Sequence, residues 1–150
     1  MLPKTHLAIG ALIILFFLPH IEDGKFFFIA VVLITSLLPD IDNRFSNFSR
    51  RGPLRLLGFL KNHRGIFHSF TFCIVVSVVL AFYWPFLALP FFLGYAFHLI
   101  ADSWTAQGIR PFWPWKRILN GHVRDGSVIE NSVFIVFLVL DVVVLIITMF

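Results

Sequence analysis

The sequence predicts an all-helical bundle of about five membrane-embedded helices. Three observations predict it. Hydrophobic residues make up 59% of the 150 positions and charged residues only 13%, with 20 Phe, whereas a soluble domain is about 45–50% apolar and about 25% charged. The mean hydropathy is +0.90. Five apolar segments are separated by polar or proline-marked breaks, and nearly all the Lys and Arg fall on one side of them. Disorder is excluded, because it requires low hydrophobicity and many charges. A single cysteine, Cys73, excludes a disulfide framework and any Cys-based zinc cluster. The length fits one domain over residues 1–150.

The first segment covers residues 5–18 and stops at Pro19, with Pro3 suited to the opening turn of its helix. The second covers residues 25–38 and stops at Pro39. At about 1.5 Å per residue each reaches only ~21 Å, so the two read as a short hairpin closed by His20, Glu22, Asp23 and Gly24. Such a hairpin either spans a locally thinned bilayer or stays buried without spanning. Residues 66–84, 86–104 and 128–150 reach roughly 28–35 Å, enough for a hydrocarbon core of about 30 Å. The N-terminal run follows Lys4 but ends in Leu18-Pro19-His20 with no small-x-small cleavage site, so it reads as a retained helix rather than a signal peptide.

With five spans, one side of the membrane holds Lys4 and the loops 43–65 and 106–127, which together carry eleven Lys and Arg. The other side holds only Lys25. The positive-inside rule makes the first side cytoplasmic, with the N-terminus inside and the C-terminus outside. The net charge of +4 belongs to this asymmetry, and no basic soluble face indicates nucleic acid. Residues 53–61 set Leu and Phe beside Arg55 and Lys61, as in an amphipathic helix lying on the bilayer. In 109–118, Phe112, Trp113 and Trp115 accompany Arg110, Lys116 and Arg117, a pattern that settles at headgroup level.

The alternating spans bring one set of polar residues to that cytoplasmic edge. His6 opens the first span, Asp40 and Asp42 follow the second, and His63 and His68 bracket the start of the third. His98 and Asp102 close the fourth span and Glu130 opens the fifth. His98 and Asp102 share a helix face at i and i+4. Asp40 and Asp42, beyond Pro39, point the same way in an extended segment. His68 is expected in the first turn of its helix, with Arg64 and Gly65 bending the chain so that both rings face inward. Each pattern alone is explained by capping or a structural hydrogen bond. Their coincidence in or near hydrocarbon, where charge is costly, points to a metal site.

Mixed imidazole and carboxylate ligands without thiolate fit Zn²⁺, Mn²⁺ or Fe²⁺ better than Ca²⁺. Eight candidates are too many for one catalytic zinc, which uses about three protein ligands. A dinuclear site is expected, with two divalent ions, Zn or Mn, about 3.5–4 Å apart and Asp42 or Asp102 as the bridge. Such a site lowers the pKa of bound water toward ~7. Arg64, beside these ligands, could hold a phosphate or a developing oxyanion, or anchor to lipid headgroups.

The same residues carry a resemblance. Thr5-His6, Leu38-Pro39-Asp40-Ile41-Asp42, the run from His63 to Ser69, the run from Gly94 to Asp102, Thr105 to Gly108 and Pro114 occur in the order found in the YdjM-like membrane-bound metal-dependent hydrolases, which this sequence resembles. The resemblance implies an integral membrane protein with a metal-dependent hydrolase site. It implies metal roles for His6, Asp40, Asp42, His63, His68, His98 and Asp102. Glu130 matches a position that also carries an acid in related sequences, and with Arg64 it is a candidate catalytic residue.

The expected activity is hydrolysis of an ester or phosphoester of a lipid or other amphiphile at the cytoplasmic interface. The competing readings are a metal-binding transporter and a structural protein whose metal site staples the helices. Transport would need a polar route to the far side, where only Asp141 and a few Ser and Thr lie. Asp141, eleven residues after Glu130, shares its face and should point into the bundle. His20, on the opposite side, and His122, in an expected turn, stand apart from the cluster, and Cys73 reads as a core residue.

Overall fold

In the computed structural model, residues 1–40 and 66–149 are described. Among them the regular elements are all helices, α1 (Pro3–Phe17) with a 3₁₀ turn (Leu18–His20), α2 (Lys25–Thr35), α3 (Phe70–Tyr83), α4 (Pro85–Ser103) and α5 (Val128–Met149), and residues 104–127 form a loop with two isolated β-bridges. The expected amphipathic stretch at 53–61 lies outside the described residues.

Several boundaries differ from expectation for local reasons. Pro19 does not end the first span, because the chain tightens into the 3₁₀ turn and continues to His20. A proline near the start of a helical turn gives up only an N–H that has no partner there. Pro3–His20 is therefore long and apolar enough to cross a membrane, as are Pro85–Ser103 and Val128–Met149. This favours a spanning first helix over a buried hairpin. α2 pauses in a turn at 36–37 and is helical again over 38–40. Asp40 thus stands on a helical turn, not in the extended segment expected beyond Pro39. The third helix starts later than expected and, with 14 residues over Phe70–Tyr83, is shorter than the spanning helix expected over residues 66–84. Residues 66–68 form a turn, and Ser69 caps α3 by accepting the Phe72 N–H at 3.2 Å. His68 accordingly precedes the helix instead of lying in its first turn.

The central element is α4, which packs against α1, α2 and α3, while α5 lies mainly along α1. One apolar cluster joins Ile9, Ile13, Val32 and Leu93 from α1, α2 and α4. A second joins Cys73 to Phe91, Tyr95 and Leu99. The outer surface carries large exposed apolar side chains such as Val75, Phe82, Phe92 and Ile146, as expected where lipid is the solvent.

Burial of apolar surface does not drive helices together inside a bilayer, so small residues that permit close approach matter more. The Thr35–Ser36 turn is held between two glycines. A Cβ on Gly10 of α1 would lie 3.3 Å from Ser36 Oγ. A Cβ on Gly94 of α4 would clash with Thr35 Oγ1 and lie 2.6 Å from the Val32 carbonyl oxygen. This grip sets the end of α2 against the last turns of α4, where the polar residues meet.

Candidate metal centre

Four helices and their flanks deliver polar residues to one level. His6 comes from the first turns of α1, Asp40 from the helical turn that follows α2, His68 from the turn before α3, and His98 and Asp102 from the end of α4. Asp40, His68, His98 and Asp102 each offer a ligand atom within 4.8 Å of the others. His6 adjoins this group, its ring stacked on that of His98 with centroids 3.9 Å apart. His6 and His98 are each only 1% exposed.

Asp102 lies between the imidazoles. Its Oδ1 is 3.3 Å from His6 Nε2, and its Oδ2 is 3.3 Å from His98 Nε2 and 4.0 Å from His68 Nε2. Asp40 faces the same rings, 3.8 Å from His6 Nε2 and 4.0 Å from His98 Nε2. The nitrogen of Met1 donates to Asp102 Oδ1 at 2.7 Å and lies 3.5 Å from Asp125 Oδ1. Burial alone would lower the pKa of this ammonium, but the Asp102 carboxylate beside it holds it above its ordinary value.

The orientation of His98 is decided by one backbone contact. Its Nδ1 lies 2.7 Å from the Ser36 carbonyl oxygen. A carbonyl can only accept, so Nδ1 carries a proton, and the ring is turned with Nε2 toward Asp40 and Asp102. Metal-ligating histidines commonly have their second nitrogen fixed in this way. His98 Nε2 and both ring nitrogens of His6 are buried without a hydrogen-bond partner among the described residues. Buried polar atoms seldom stay unpaired. Imidazole and carboxylate atoms gathered at 3.3–4.0 Å without hydrogen-bond geometry fit donors arranged around a cation.

Of the other residues expected at the site, Asp42, His63 and Arg64 lie outside the described residues. Glu130 is fully buried and stands beside the cluster, outside the four-residue group. Its Oε1 accepts from the Leu2 N–H and, at 3.4 Å, from Thr5 Oγ1. Its Oε2 accepts from the Gly126 N–H at 2.5 Å. Glu130 therefore ties the start of α5 to the first turn of α1, one residue before His6. Replacing it with alanine would leave buried donors unpaired, at about 1–3 kcal/mol each. Glu130→Ala is expected to lower the unfolding temperature in detergent while a metal-loaded sample keeps its ions. Loss of the ions with unchanged thermal stability would assign Glu130 to the metal centre instead.

Three contributors have roles that the sequence does not assign, although Gly94 and Tyr95 lie inside a run noted there. Ser36 acts through its carbonyl and Gly94 through the absence of a side chain. Tyr95 donates from its hydroxyl to the Phe67 carbonyl at 2.6 Å, steadying the turn that carries His68. Only Tyr95 leaves a signal, three residues before His98 on the same helix face. Thr105, inside a run noted in the sequence, donates to the Asp102 carbonyl at 2.7 Å and closes the end of α4. His20 sits in the 3₁₀ turn beyond the far end of α1, and His122 is exposed in the 104–127 loop. Asp141 is half-buried on α5, and its Oδ1 has no hydrogen-bond partner among the described residues.

The fold and this cluster define an all-helical membrane protein with a buried His/Asp group able to hold a metal ion. Family comparison agrees with that class: the profile of the YdjM inner membrane protein family matches residues 1–149, and the chain belongs to that family. It is also similar to the uncharacterized protein YvsG of Bacillus subtilis (strain 168), with 29% identity over 85 residues. That match covers 54% of this chain and 53% of YvsG, so the chain spans about half the length of this relative. No solved structure matches the chain.

Proposed function

We propose that the protein is a membrane-bound metal-dependent hydrolase that cleaves an ester or phosphoester of a lipid or other amphiphile at the cytoplasmic interface. The observation that carries the reading is the His98 imidazole, fixed by the Ser36 carbonyl at 2.7 Å and turned toward Asp40 and Asp102. His6, Asp40, His68, His98 and Asp102 would hold the ions, joined by Asp42 and His63 from the adjoining segment. Asp42 or Asp102 would serve both ions, and Asp102 suits that role because its two oxygens face different imidazoles. About two divalent ions, Zn or Mn, would polarise a water for attack on the ester. Arg64 would hold the phosphate or the developing oxyanion through its planar fork of donors.

The test is hydrolysis by purified protein loaded with Zn²⁺ or Mn²⁺ in detergent, against a panel of phosphoester and carboxylester amphiphiles. The expected result is turnover that a chelator abolishes and that His98→Ala lacks. Arg64→Ala should keep its metal and lose turnover, with Lys restoring only part because it lacks the bidentate geometry. Metal-loaded protein that cleaves nothing in the panel would leave a metal-binding membrane protein without this activity.

Orientation is tested separately. The eleven-to-one distribution of Lys and Arg supports a cytoplasmic N-terminus and site and an external C-terminus. Single cysteines placed between residues 43 and 62 should resist membrane-impermeant reagents in intact cells, while one at the C-terminus reacts. Labelling of the 43–62 positions from outside would reverse the placement.

A further inference from the structure

The two oxygens of Asp102 have different surroundings. Oδ2 faces His98 and His68, which with Asp40 and Asp102 itself form the group whose ligand atoms lie within 4.8 Å of one another. Oδ1 faces His6 Nε2 at 3.3 Å, and His6 stands outside that group. His6 is only 1% exposed, and neither of its ring nitrogens has a hydrogen-bond partner among the described residues. Buried imidazoles seldom stay unpaired, so His6 Nε2 marks the Oδ1 side as a second place for a ligand.

A positive centre already stands on that side. The Met1 nitrogen lies 2.7 Å from Asp102 Oδ1 and 3.5 Å from Asp125 Oδ1. Two carboxylates thus share one cationic charge, and the unpaired His6 nitrogen approaches the same Asp102 oxygen.

Asp125, which none of the sequence patterns singles out, is held there by its loop. Its Oδ2 accepts from Gln107 Nε2 at 3.2 Å. Before it, the Val123 carbonyl accepts the Ala106 N–H at 2.8 Å, and after it the Gly126 N–H donates to Glu130 Oε2. Carboxylates that bind metals are commonly oriented by a hydrogen bond of the Gln107 kind. The Asp125 side chain is 39% exposed, which leaves it room to close on an ion smaller than an ammonium group.

We infer that Asp125 is a ligand of the metal centre, forming with His6 and Asp102 Oδ1 a second cation position beside the one lined by Asp40, His68 and His98. The donor set of imidazole and carboxylates suits Mn²⁺ or Zn²⁺. The inference rests on the two-ion reading above. It adds a ligand and divides the described residues between the two ions.

The experiment uses the full chain in detergent, reconstituted with Mn²⁺, counted by elemental analysis and read by electron paramagnetic resonance. Two Mn²⁺ ions about 3.5–4 Å apart are magnetically coupled, whereas an isolated Mn²⁺ shows its own hyperfine pattern. Wild-type protein is expected to hold about two ions with a coupled spectrum. Asp125→Asn keeps the side-chain shape and should hold about one ion, with the isolated-ion spectrum and a nearly unchanged unfolding temperature. His6→Gln should give the same isolated-ion spectrum. Gln107→Ala frees the carboxylate without removing it and should weaken binding of the second ion alone by about 10–100-fold. Asp23→Asn, at an exposed acid in the turn before α2, should keep both ions. Two coupled ions in Asp125→Asn, or unchanged affinity in Gln107→Ala should Asp125→Asn fail to fold, overturns the assignment and leaves the two-ion reading standing. A folded Asp125→Asn protein that holds no ion overturns the division between the two positions. Wild-type protein that takes up a single ion defeats the two-ion reading, and the inference with it.

Discussion

Asp102→Ala is expected to strip the protein of its divalent ions and reduce hydrolysis to background. Asp102 carries the two oxygens that face His6 on one side and His98 and His68 on the other, at 3.3–4.0 Å. Removing a supporting group behind a metal ligand typically costs 10–100-fold in affinity, and removing the ligand between the imidazoles should cost more than about 100-fold. The alanine variant also deprives the Met1 nitrogen of its 2.7 Å partner, so some loss of stability accompanies the loss of metal. Asp102→Asn separates the two effects, because it keeps the side-chain volume and removes the negative charge. Elemental analysis of both variants, beside their unfolding temperatures, checks the expectation. Asn protein that folds normally yet holds no ion would assign Asp102 to ligation. Full metal content in the Asn variant would remove Asp102 from the ligand set.

Gly94→Ala is expected to weaken metal binding although residue 94 touches no candidate ligand. The added methyl would clash with Thr35 Oγ1 and lie 2.6 Å from the Val32 carbonyl oxygen. A hydroxyl can rotate away, but a backbone carbonyl inside α2 cannot, so α2 and α4 must separate. Overpacking of this kind costs about 1–3 kcal/mol. The same movement draws the Ser36 carbonyl away from His98 Nδ1, one helical turn from Gly94. His98 then loses the contact that fixes its tautomer, a change worth roughly 10–100-fold in metal affinity. Metal titration and thermal unfolding should both shift. A destabilised variant with unchanged metal affinity would show that the Ser36 contact contributes little to ligation.

Much of this architecture was legible in the sequence because bilayers impose few solutions. A chain that is 59% hydrophobic and cut by Pro19, Pro39 and Trp84-Pro85 reads as membrane helices from composition and length alone. The convergence of His6, Asp40, His68, His98 and Asp102 was also legible, since alternating helices return every second end to the same level. The local geometry was less so. Pro39 reads as a stop, yet the chain takes a turn at 36–37 and resumes helix through it, which turns Asp40 toward His6 and His98. His68 reads as helical, but the Ser69 cap delays α3 and leaves His68 on a turn. The contact that orients His98 was invisible, because it comes from a backbone carbonyl that every residue possesses. Its register depends on Gly10 and Gly94 admitting the Thr35–Ser36 turn, and close approach by glycine has no periodic signature. Glu130 illustrates a further ambiguity, since a buried acid can bind a cation or collect backbone N–H groups. Here its oxygens receive Leu2, Thr5 and Gly126.

The central claim is that the His/Asp cluster is a metal centre, and metal stoichiometry combined with X-ray absorption on the purified wild-type chain tests it most directly. The account predicts about two divalent ions per chain after reconstitution with Zn²⁺ or Mn²⁺, coordinated by imidazole nitrogen and carboxylate oxygen. No sulfur should appear in the coordination shell, because the sole cysteine, Cys73, is buried in the α3–α4 core. A chain that binds no divalent ion under these conditions, or binds it through sulfur, would contradict the account.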